Sequence, residues 1–563
     1  MPKKLQLQKA DLTAESFSTQ NLLKETEGSK KKIKKSKPIK KYGLVWDSEK
    51  EPELVVELCK EQLPVLEEDS SKEIKTEKEK PINILIEGDN YHALSVLNYT
   101  HKGKVDVIYI DPPYNTGNKD FIYNDKYVDK EDAYRHSKWL SFMEKRLKLA
   151  KNLLKKTGAI FISIDDNELA QLKLLCDEVF GENSLIGIVT VGKGTTTGQD
   201  AKRFGSSADY LLVYGMVDFQ LGKIAMSEKD KKRFSKKDEK GNYSTLQFRK
   251  TGNNDKRANR PNLFYALKDP DGNDVYPLGP SGYESTWRGD TKYFQRLERE
   301  NMIEWIKQGR GWRPYVKFYL EGRGKSASNL WVDIEGNKKA TIELKEFFGE
   351  RVFSNPKPTD LIKRCITLAN VISPLVLDFF AGSGTSAQAV LALNSQDDED
   401  RRFILCTNNE NNICTDICYP RIEKVINGYK SSKNEKVIGI SSNLKYFKTD
   451  FIKGEATDKN KKMLVDKSAE MLCLKEDCFE LVKKDKYFKI FKNYQNKYLG
   501  IVYDDDAIAG FKKEAKRLNK KIIVYIFSLD ESAREEEFED IKSLVQLKPI
   551  PTAILSVYKR IFK

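Results

Sequence analysis

Apolar residues occur along this chain in short runs that alternate with stretches of helical periodicity. Continuous apolar runs are typical of strands that are buried on both faces of a parallel sheet. Such runs lie at Val105–Ile110 and near 84–86, 158–165, 208–214, 376–377 and 402–406. Because amphipathic patterns at 131–156 and 167–180 separate some of these runs, the sequence predicts an α/β fold.

The strand–helix alternation is interrupted once, and this interruption predicts the domain organisation. Residues 219–349 lose the alternation and are rich in Gly, Arg, Lys, Tyr and Trp. They separate two sheet-forming halves, 81–218 and 350–430, and are therefore predicted to be an insertion. Residues 431–563 contain strand patterns on both sides of a helical one, which predicts a C-terminal α/β appendage.

The first part of the chain has a different character. Residues 1–41 are polar, and 30–41 are almost continuous lysine, so this segment is predicted to be a flexible basic arm. Residues 42–80 contain an amphipathic stretch followed by many charges, which predicts a helical lead-in and a linker.

Composition adds information about partners and location. The chain has 563 residues, enough for roughly three or four domains. Its formal net charge of +15 favours a polyanionic partner such as nucleic acid. We see no signal peptide and no apolar run long enough to span a membrane, and we expect a cytoplasmic protein with reduced cysteines.

No metal site is predicted. Cys406, Cys414 and Cys418 are close in sequence, but they form no C-x-x-C pair. The three histidines lie far away in sequence, and this spacing is wrong for zinc.

The segment that follows Val105–Ile110 is the first candidate for chemistry. It reads Asp-Pro-Pro-Tyr-Asn-Thr-Gly over residues 111–117. Two prolines hold the chain extended at the end of the strand, where open α/β sheets bind ligands. The carboxylate of Asp111 and the aromatic ring of Tyr114 are suited to bind an amine that is attached to a flat aromatic ring. The alternative is a tight proline turn with a solvent-exposed Asp.

A glycine-rich turn is the second candidate. Residues 376–387 read as a strand, a turn containing Gly382 and Gly384, and the start of a helix. Glycines allow close approach of a ligand to the backbone, and a helix N-terminus favours anionic groups. The spacing to Ala387 also fits a dinucleotide fingerprint, so an NAD-dependent or flavin-dependent oxidoreductase is an alternative.

Together, these two motifs resemble those of amino-group DNA methyltransferases, which methylate an exocyclic nitrogen of a flipped-out base. The resemblance implies that Asp111 and the carbonyl of Pro112 accept hydrogen bonds from the target amine. It also implies that Tyr114 stacks on the extruded base. Tyr214 resembles the second aromatic residue that packs against the base, and the alternative for it is a rim aromatic on an edge strand.

The same resemblance implies S-adenosylmethionine as the cofactor. The acid at 89 would accept the adenine amino group, the acid at 410 would accept the ribose hydroxyls, and 355–359 would contact the methionine end. Residues 397–400 are rivals for the ribose. The predicted cofactor contacts are Asp89, Asp111, Asn355, Lys357, Thr359, Asp378, Phe379, Phe380, Gly382, Gly384, Thr385 and Glu410.

The order of catalytic motif, insertion and cofactor motif resembles the β group of adenine methyltransferases. The implied fold is a circularly permuted, Rossmann-like methyltransferase sheet. The insertion is then the target-recognition region, with Arg288, Arg310 and Arg313 as candidate DNA contacts. Residues 42–563 resemble the Mod subunits of type III restriction-modification systems, which implies a homodimer. Since helicase and nuclease motifs are missing, restriction would need a separate subunit.

We therefore predict a cytoplasmic enzyme that methylates adenine N6 in double-stranded DNA. Asp111 favours adenine, because relatives that act on cytosine N4 more often carry Ser there. A solitary or type II methyltransferase is the alternative within this class. A DNA-binding regulator with an inactive core is the alternative outside it, and the intact motifs argue against that possibility.

Overall fold

The computed structural model describes most of the chain. The described residues are 53–118, 120–123, 126–193, 205–309, 311–431, 434–453, 455, 457–527, 535–550 and 554. The predicted basic arm, 1–41, and the first part of the lead-in lie outside these residues. Within them, no helix combines the length and the apolar character needed to cross a membrane.

The described residues form both strands and helices, and most of the strands are short. The strands are numbered along the chain. In chain order they are β1 (Leu63–Glu68), β2 (Ile74–Lys75), β3 (Ile82–Glu87), β4 (Val105–Ile110), β5 (Ile122–Tyr123), β6 (Lys126–Tyr127), β7 (Leu154–Ile164), β8 (Leu185–Gly192), β9 (Ala208–Gly215), β10 (Lys223–Ile224), β11 (Lys236–Asp238), β12 (Gly241–Gln247), β13 (Leu267–Lys268), β14 (Asp274–Val275), β15 (Ile303–Gln308), β16 (Gly311–Tyr319), β17 (Lys325–Ser326), β18 (Leu330–Trp331), β19 (Leu375–Asp378), β20 (Arg402–Thr407), β21 (Tyr429–Lys430), β22 (Lys436–Val437), β23 (Asn443–Ile452), β24 (Glu480–Lys484), β25 (Phe488–Lys492), β26 (Tyr498–Val502), β27 (Ile522–Ile526) and β28 (Val545–Lys548).

The helices follow. They are α1 (Leu54–Glu61), α2 (Asn90–Thr100), α3 (Arg135–Leu153), α4 (Leu169–Phe180), α5 (Glu228–Lys231), α6 (Thr291–Arg299), α7 (Asn337–Phe348), α8 (Thr359–Leu368), α9 (Thr385–Asp397), α10 (Tyr419–Asn427), α11 (Asp458–Glu476) and α12 (Ile508–Leu518).

One large mixed sheet forms the centre of the molecule. Its strand order is β1-β23-β3-β20-β19-β4-β7-β9-β8-β18, and β2 pairs additionally with β23. The strands from β23 to β7 are mutually parallel, whereas β9 runs antiparallel to both β7 and β8. The carboxyl ends of β3, β20, β19, β4 and β7 therefore lie along the same side of the sheet, which we call the carboxyl edge. The predicted α/β fold is confirmed.

Helices cover both faces of this sheet, and this explains why its strands are apolar throughout. In β4, Ile108 and Ile110 point to a core formed with α2, α3 and α4. Val107 and Tyr109 point to the opposite core, which is formed with α7, α8, α9 and α10. Because successive side chains of a strand alternate between faces, two cores require an apolar residue at nearly every position.

The insertion has a sheet and a core of its own. Its four antiparallel strands have the order β11-β12-β16-β15, and Trp287 lies fully buried among its apolar residues. The pair β10–β17 closes the base of the insertion. Beyond this pair, β18 joins the main sheet beside β8, and Trp331 and Phe347 pack in the main core. The predicted boundaries of 219–349 are therefore too wide, because both ends of that range contribute to the methyltransferase core.

Two other predicted boundaries are also wrong. Strand β23 was assigned to the appendage, but it pairs with β3 in the main sheet. Strands β1 and β2 fall in the predicted lead-in and linker, yet both pair with β23. All three strands carry charged residues at many positions because they lie near the border of the sheet. Their pattern therefore differs from the continuous apolar runs of the central strands.

The C-terminal appendage is a five-stranded sheet with the order β24-β25-β26-β27-β28. Helix α12 covers one face of it, and α11 packs between its other side and the main sheet. At the end of α11, the buried carboxylate of Glu476 accepts hydrogen bonds from Lys497 Nζ at 2.8 Å, the Tyr525 hydroxyl at 2.7 Å and Lys548 Nζ at 3.0 Å. The appendage is thus fixed to α11 by a buried ionic cluster.

Candidate active site

The loops that carry the sequence motifs follow four adjacent parallel strands. Asp89 follows β3, Glu410 follows β20, Asp378 ends β19, and Asp111 follows β4. Since these strands are parallel, the four acidic residues lie along the carboxyl edge of the sheet. Motifs that are separated by more than 300 positions in sequence are thus brought to one site.

The turn after β4 is held by buried side chains. Asn115 adopts a φ of 54° and is fully buried. Its Nδ2 donates to Oε1 of Glu168 at 2.6 Å, and Glu168 also lies 2.5 Å from Nδ1 of His136. Trp139 Nε1 donates to the carbonyl of Pro113 at 2.7 Å. These contacts fix the peptide on both sides of Tyr114, although none of them was predicted.

A lysine from the other half of the chain reaches this turn. Nζ of Lys357 lies 3.2 Å from Oδ1 of Asp111 and donates to the Tyr114 hydroxyl at 2.6 Å. The same ammonium lies 4.6 Å from the centre of the Tyr114 ring and 3.6 Å from Oδ2 of Asp209. Asp209 lies near the start of β9, and its carboxylate also forms an ion pair with Lys193. Sequence reasoning placed Lys357 at the cofactor and missed both Asp209 and Lys193.

The electrostatics of Asp111 follow from this environment. Burial raises the pKa of the Asp111 carboxyl, the ammonium of Lys357 acts against this rise, and the carboxylate of Asp209 adds to it. Oδ1 of Asp111 is buried, and Lys357 pairs with it as an ion. A carboxylate oxygen has more than one lone pair, so Oδ1 can still accept a hydrogen bond from a ligand.

The glycine-rich turn is shaped by Asp378. Its Oδ1 accepts from the backbone N–H of Phe380 at 3.0 Å, and its Oδ2 accepts from the hydroxyl of Ser386. Burial raises the pKa of Asp378 to about 7. Gly382 and Gly384 have φ values of 50° and 77°, which L-residues with a Cβ rarely adopt. The turn thus exposes backbone to the site, and the buried carboxyl of Asp378 holds its shape, while a contact of Asp378 with the cofactor stays a prediction.

A buried arginine also supports the glycine-rich turn. Arg421 on α10 donates to the Ser383 carbonyl at 3.2 Å, to the Thr385 hydroxyl at 2.8 Å and to Oε1 of Gln388 at 2.8 Å. Burial lowers the pKa of its guanidinium to about 10. Sequence reasoning missed Arg421, because a single Arg in an amphipathic helix normally faces solvent.

The first strand–helix junction is tied to the glycine-rich turn. One oxygen of Asp89 accepts from the backbone N–H of Tyr91 at 2.7 Å and caps α2, while the other lies 3.4 Å from Nη2 of Arg146. Nδ2 of Asn90 donates to the carbonyl of Phe379 at 3.0 Å. The Asp89 side chain is still 42% exposed, so it remains accessible to a ligand.

The other predicted cofactor residues differ in their accessibility. Asn355 and Glu410 are exposed, and Phe380 is half-buried. The Phe379 ring is fully buried in the core, and the Thr359 hydroxyl donates to Glu343 at 2.9 Å. The side chains of Phe379, Thr359 and Thr385 therefore face the protein. Any contact of these three residues with the cofactor would thus be made by their backbone, and their role in cofactor binding stays a prediction.

Tyr214 does not lie at this site. Strand β9 is antiparallel to β7, and Tyr214 pairs with Ile160, far from the carboxyl end of β7. Its ring is only 1% exposed, and its hydroxyl donates to Oδ1 of Asp177 at 2.8 Å. The prediction that Tyr214 stacks on the target base is wrong, because the carboxyl end of an antiparallel strand lies on the opposite side of the sheet.

The candidate DNA contacts lie in the insertion. Arg288 is exposed, and its Nε donates to the carbonyl of Gln247 at 2.8 Å. Arg313 is half-buried on β16. The third candidate, Arg310, lies outside the described residues. Contact of these side chains with DNA therefore stays a prediction.

Comparison with known proteins connects this geometry to a family. The chain is similar to three bacterial and phage proteins. They are the type III restriction-modification enzyme StyLTI Mod subunit of Salmonella typhimurium (35% identity, 58% of this chain and 52% of the relative), the type II methyltransferase M.KpnI of Klebsiella pneumoniae (36%, 65% and 90%) and the EcoPI Mod subunit of Escherichia phage P1 (32%, 66% and 64%). The chain thus spans about half of the length of the StyLTI subunit.

A family model described as DNA methylase matches residues 105–453. That range includes β4 with the turn after it, the insertion, the glycine-rich turn and the strand β23. The two motifs therefore belong to one continuous match, whereas β3 and Asp89 precede it, and the chain is a member of the DNA methylase family.

Proposed function

We propose that this chain transfers a methyl group from S-adenosylmethionine to N6 of adenine in double-stranded DNA. The observation that carries the proposal is the buried acceptor Oδ1 of Asp111 beside the ring of Tyr114, next to the glycine-rich turn. A carboxylate acceptor and an aromatic face are the two features that an exocyclic amine on a flat base requires. Membership of the DNA methylase family supports the same reaction.

The residues at the carboxyl edge fit S-adenosylmethionine. Gly382 and Gly384 expose backbone in a conformation that a Cβ would disturb. The carboxylates of Asp89 and Glu410 are accessible at the ends of β3 and β20, where they would accept the adenine amino group and the ribose hydroxyls. When bound, this cofactor supplies an electrophilic methyl group.

The chain's own residues prepare the amine for this transfer. Oδ1 of Asp111 and the carbonyl of Pro112 would each accept a hydrogen bond from the amine, so that its lone pair is less delocalised into the ring. Tyr114 would stack on the base, and this requires that the base leave the duplex. Holding the amine in line with the methyl donor then contributes much of the rate, because orientation replaces a bimolecular encounter.

The choice of target follows from two different parts of the molecule. Asp111 favours adenine, as the relatives that act on cytosine more often carry Ser at this place. The insertion would read the DNA sequence, with Arg288 and Arg313 on its surface. The net charge of +15 supports binding to the phosphate backbone.

We further propose that this chain is the modification subunit of a type III restriction-modification system. Similarity to the StyLTI and EcoPI Mod subunits supports this role. It implies a homodimer and a separate restriction subunit with helicase and nuclease activity. Similarity to M.KpnI supports the alternative, a type II methyltransferase without such a partner. Co-purification of the chain with the product of a neighbouring helicase–nuclease gene would distinguish these alternatives.

The experiment that tests the reaction compares Asp111→Ala with Asp166→Asn. Asp166 follows β7 at the same edge of the sheet, but its side chain is exposed and it is not part of the site. Methyl transfer to DNA from cells that lack the gene should fall on the order of 10³-fold in the Asp111→Ala protein, because the oriented acceptor is lost. Asp166→Asn should retain the wild-type rate.

Mass spectrometry of the product nucleosides identifies the base. We expect N6-methyladenine, and N4-methylcytosine would contradict the assignment to adenine. Normal turnover by a folded Asp111→Ala protein would show that the site lies elsewhere.

A further inference from the structure

The ammonium of Lys357 lies where the target amine is expected to lie, against Asp111 and beside the ring on which the base would stack. It lies 3.2 Å from Oδ1 of Asp111, and it lies over the ring of Tyr114, 4.6 Å from the ring centre. A base that is stacked on Tyr114 and bonded to Asp111 would place its amine nitrogen in the same region. Lysine and amine therefore compete for one position.

A second carboxylate is present to receive this lysine. Oδ2 of Asp209 lies 3.6 Å from Nζ of Lys357, which is close enough for ionic attraction but too far for a hydrogen bond. Asp209 is buried and is itself held by Lys193. Its position is therefore fixed, whereas the four-carbon side chain of a lysine can rotate.

The backbone around Lys357 restricts any movement to the side chain. Pro356 and Pro358 flank it, and both are buried. Proline fixes its own φ and limits the residue before it, so this segment is stiff. A small rotation of the lysine side chain is enough to exchange Asp111 for Asp209 as its nearest carboxylate.

We propose that Lys357 occupies the position of the target amine when no base is bound, and that Asp209 receives its ammonium when the amine enters. This inference rests on the proposed function. It explains why the ammonium of Lys357 lies within 3.6 Å of both carboxylates. It also explains a second buried carboxylate near a site in which one acceptor is sufficient. Lys357 and Asp209 are positioning residues.

The test measures how strongly the protein prefers adenine to purine at the target position. Purine lacks the 6-amino group, so it stacks on Tyr114 but cannot displace the lysine. The probes are two duplexes that contain the methylation site mapped in expressing cells, with either base at the target. Affinities are measured at pH 9 with S-adenosylhomocysteine, so that Asp111 stays ionised in every variant.

The two variants are expected to shift this preference in opposite directions. In Lys357→Met the competitor is gone, and the preference for adenine should rise roughly tenfold to 150-fold, as expected for a hydrogen bond to a charged acceptor. In Asp209→Asn the lysine has no second carboxylate, and the preference should fall towards one. Lys363→Met is the matched control, because this lysine lies on α8, which directly follows Pro358, and pairs with Asp360. It should keep the wild-type preference.

Either variant can contradict the proposed exchange of Lys357 between Asp111 and Asp209. If Lys357 only supports Asp111 and Tyr114, its loss lowers the preference for adenine, and this outcome overturns the inference. An unchanged preference in Asp209→Asn overturns it as well, and this variant decides the question if Lys357→Met does not fold. If the wild-type protein fails to methylate the adenine duplex, the proposed function fails and this inference falls with it.

Discussion

The Tyr214 hydroxyl donates a hydrogen bond to Asp177 inside the molecule, and its ring packs 5.6 Å from that of Phe180. Tyr214→Phe should therefore lower the free energy of unfolding by about 1 kcal/mol, the usual contribution of one hydrogen bond. Methyl transfer should stay within about twofold of wild type, because the residue lies on the far side of the sheet.

The comparison variant is Tyr114→Ala, which removes the ring that is expected to stack on the base. Loss of a base–aromatic stack costs about 1–3 kcal/mol, so DNA affinity at the cognate site should fall roughly fivefold to 150-fold. Urea unfolding and filter binding check both variants. A folded Tyr214→Phe protein that has lost methyl transfer would contradict the placement of Tyr214 outside the active site.

At the level of single elements, the glycine-rich turn depends on its contact with α10 and the π-helix that precedes it. A Cβ on Gly384 would lie 3.1 Å from Sγ of Cys418 and 3.3 Å from its carbonyl oxygen. Cys418 ends the π-helical segment Ile413–Cys418 and is fully buried. A side chain at 384 therefore presses on the protein interior at Cys418.

We expect Gly384→Ala to weaken S-adenosylmethionine binding at least tenfold, because the turn must move away from Cys418 and change its backbone. Gly349→Ala is the control, since Gly349 has a φ of 78° and no atom near the added Cβ. Gly349→Ala should cost only the strain of the left-handed conformation, about 1–2 kcal/mol, and leave cofactor affinity unchanged. Calorimetric titration measures the affinity. Equal affinity in the Gly384 variant and in wild type would contradict a role of this turn in cofactor binding.

At the level of the whole molecule, the insertion is a separate unit that is closed at its base by β10 and β17. Its sheet and its buried Trp287 lie within residues 228–321, whereas Phe219 and Trp331 pack in the main core. An exchange of 228–321 with the corresponding part of a relative should transfer the recognised DNA sequence and preserve methyl transfer.

An exchange of 219–349 replaces parts of the main core as well, and it should give a protein of lower thermal stability. Mapping of modified bases and thermal unfolding test the two chimaeras. A 228–321 chimaera that still modifies the original sequence would show that recognition lies outside the insertion.

Much of the fold follows from local pattern. The buried strand Val105–Ile110 appears at its predicted bounds, because an apolar run that faces two cores leaves an unmistakable signal. The strands at the border of the main sheet were missed, since charged side chains at many positions hide their role. Trp287 belongs to the part of the chain predicted to read DNA, but it fills the core of the insertion. Composition reports which residues are available, and packing decides which of them are buried.

The sequence by itself determined the chemistry that this protein can offer: a carboxylate and an aromatic ring after one strand, and a glycine-rich turn after another. Only the tertiary structure decided which side chains meet them. The direction of β9 places Tyr214 away from the site and brings Asp209 to it. Lys357 reaches Tyr114 across 243 positions of sequence, and the buried Arg421 supports the glycine-rich turn. The physical reason is that periodicity reports burial along one strand or helix, whereas charge pairing depends on which strands lie side by side and in which direction they run.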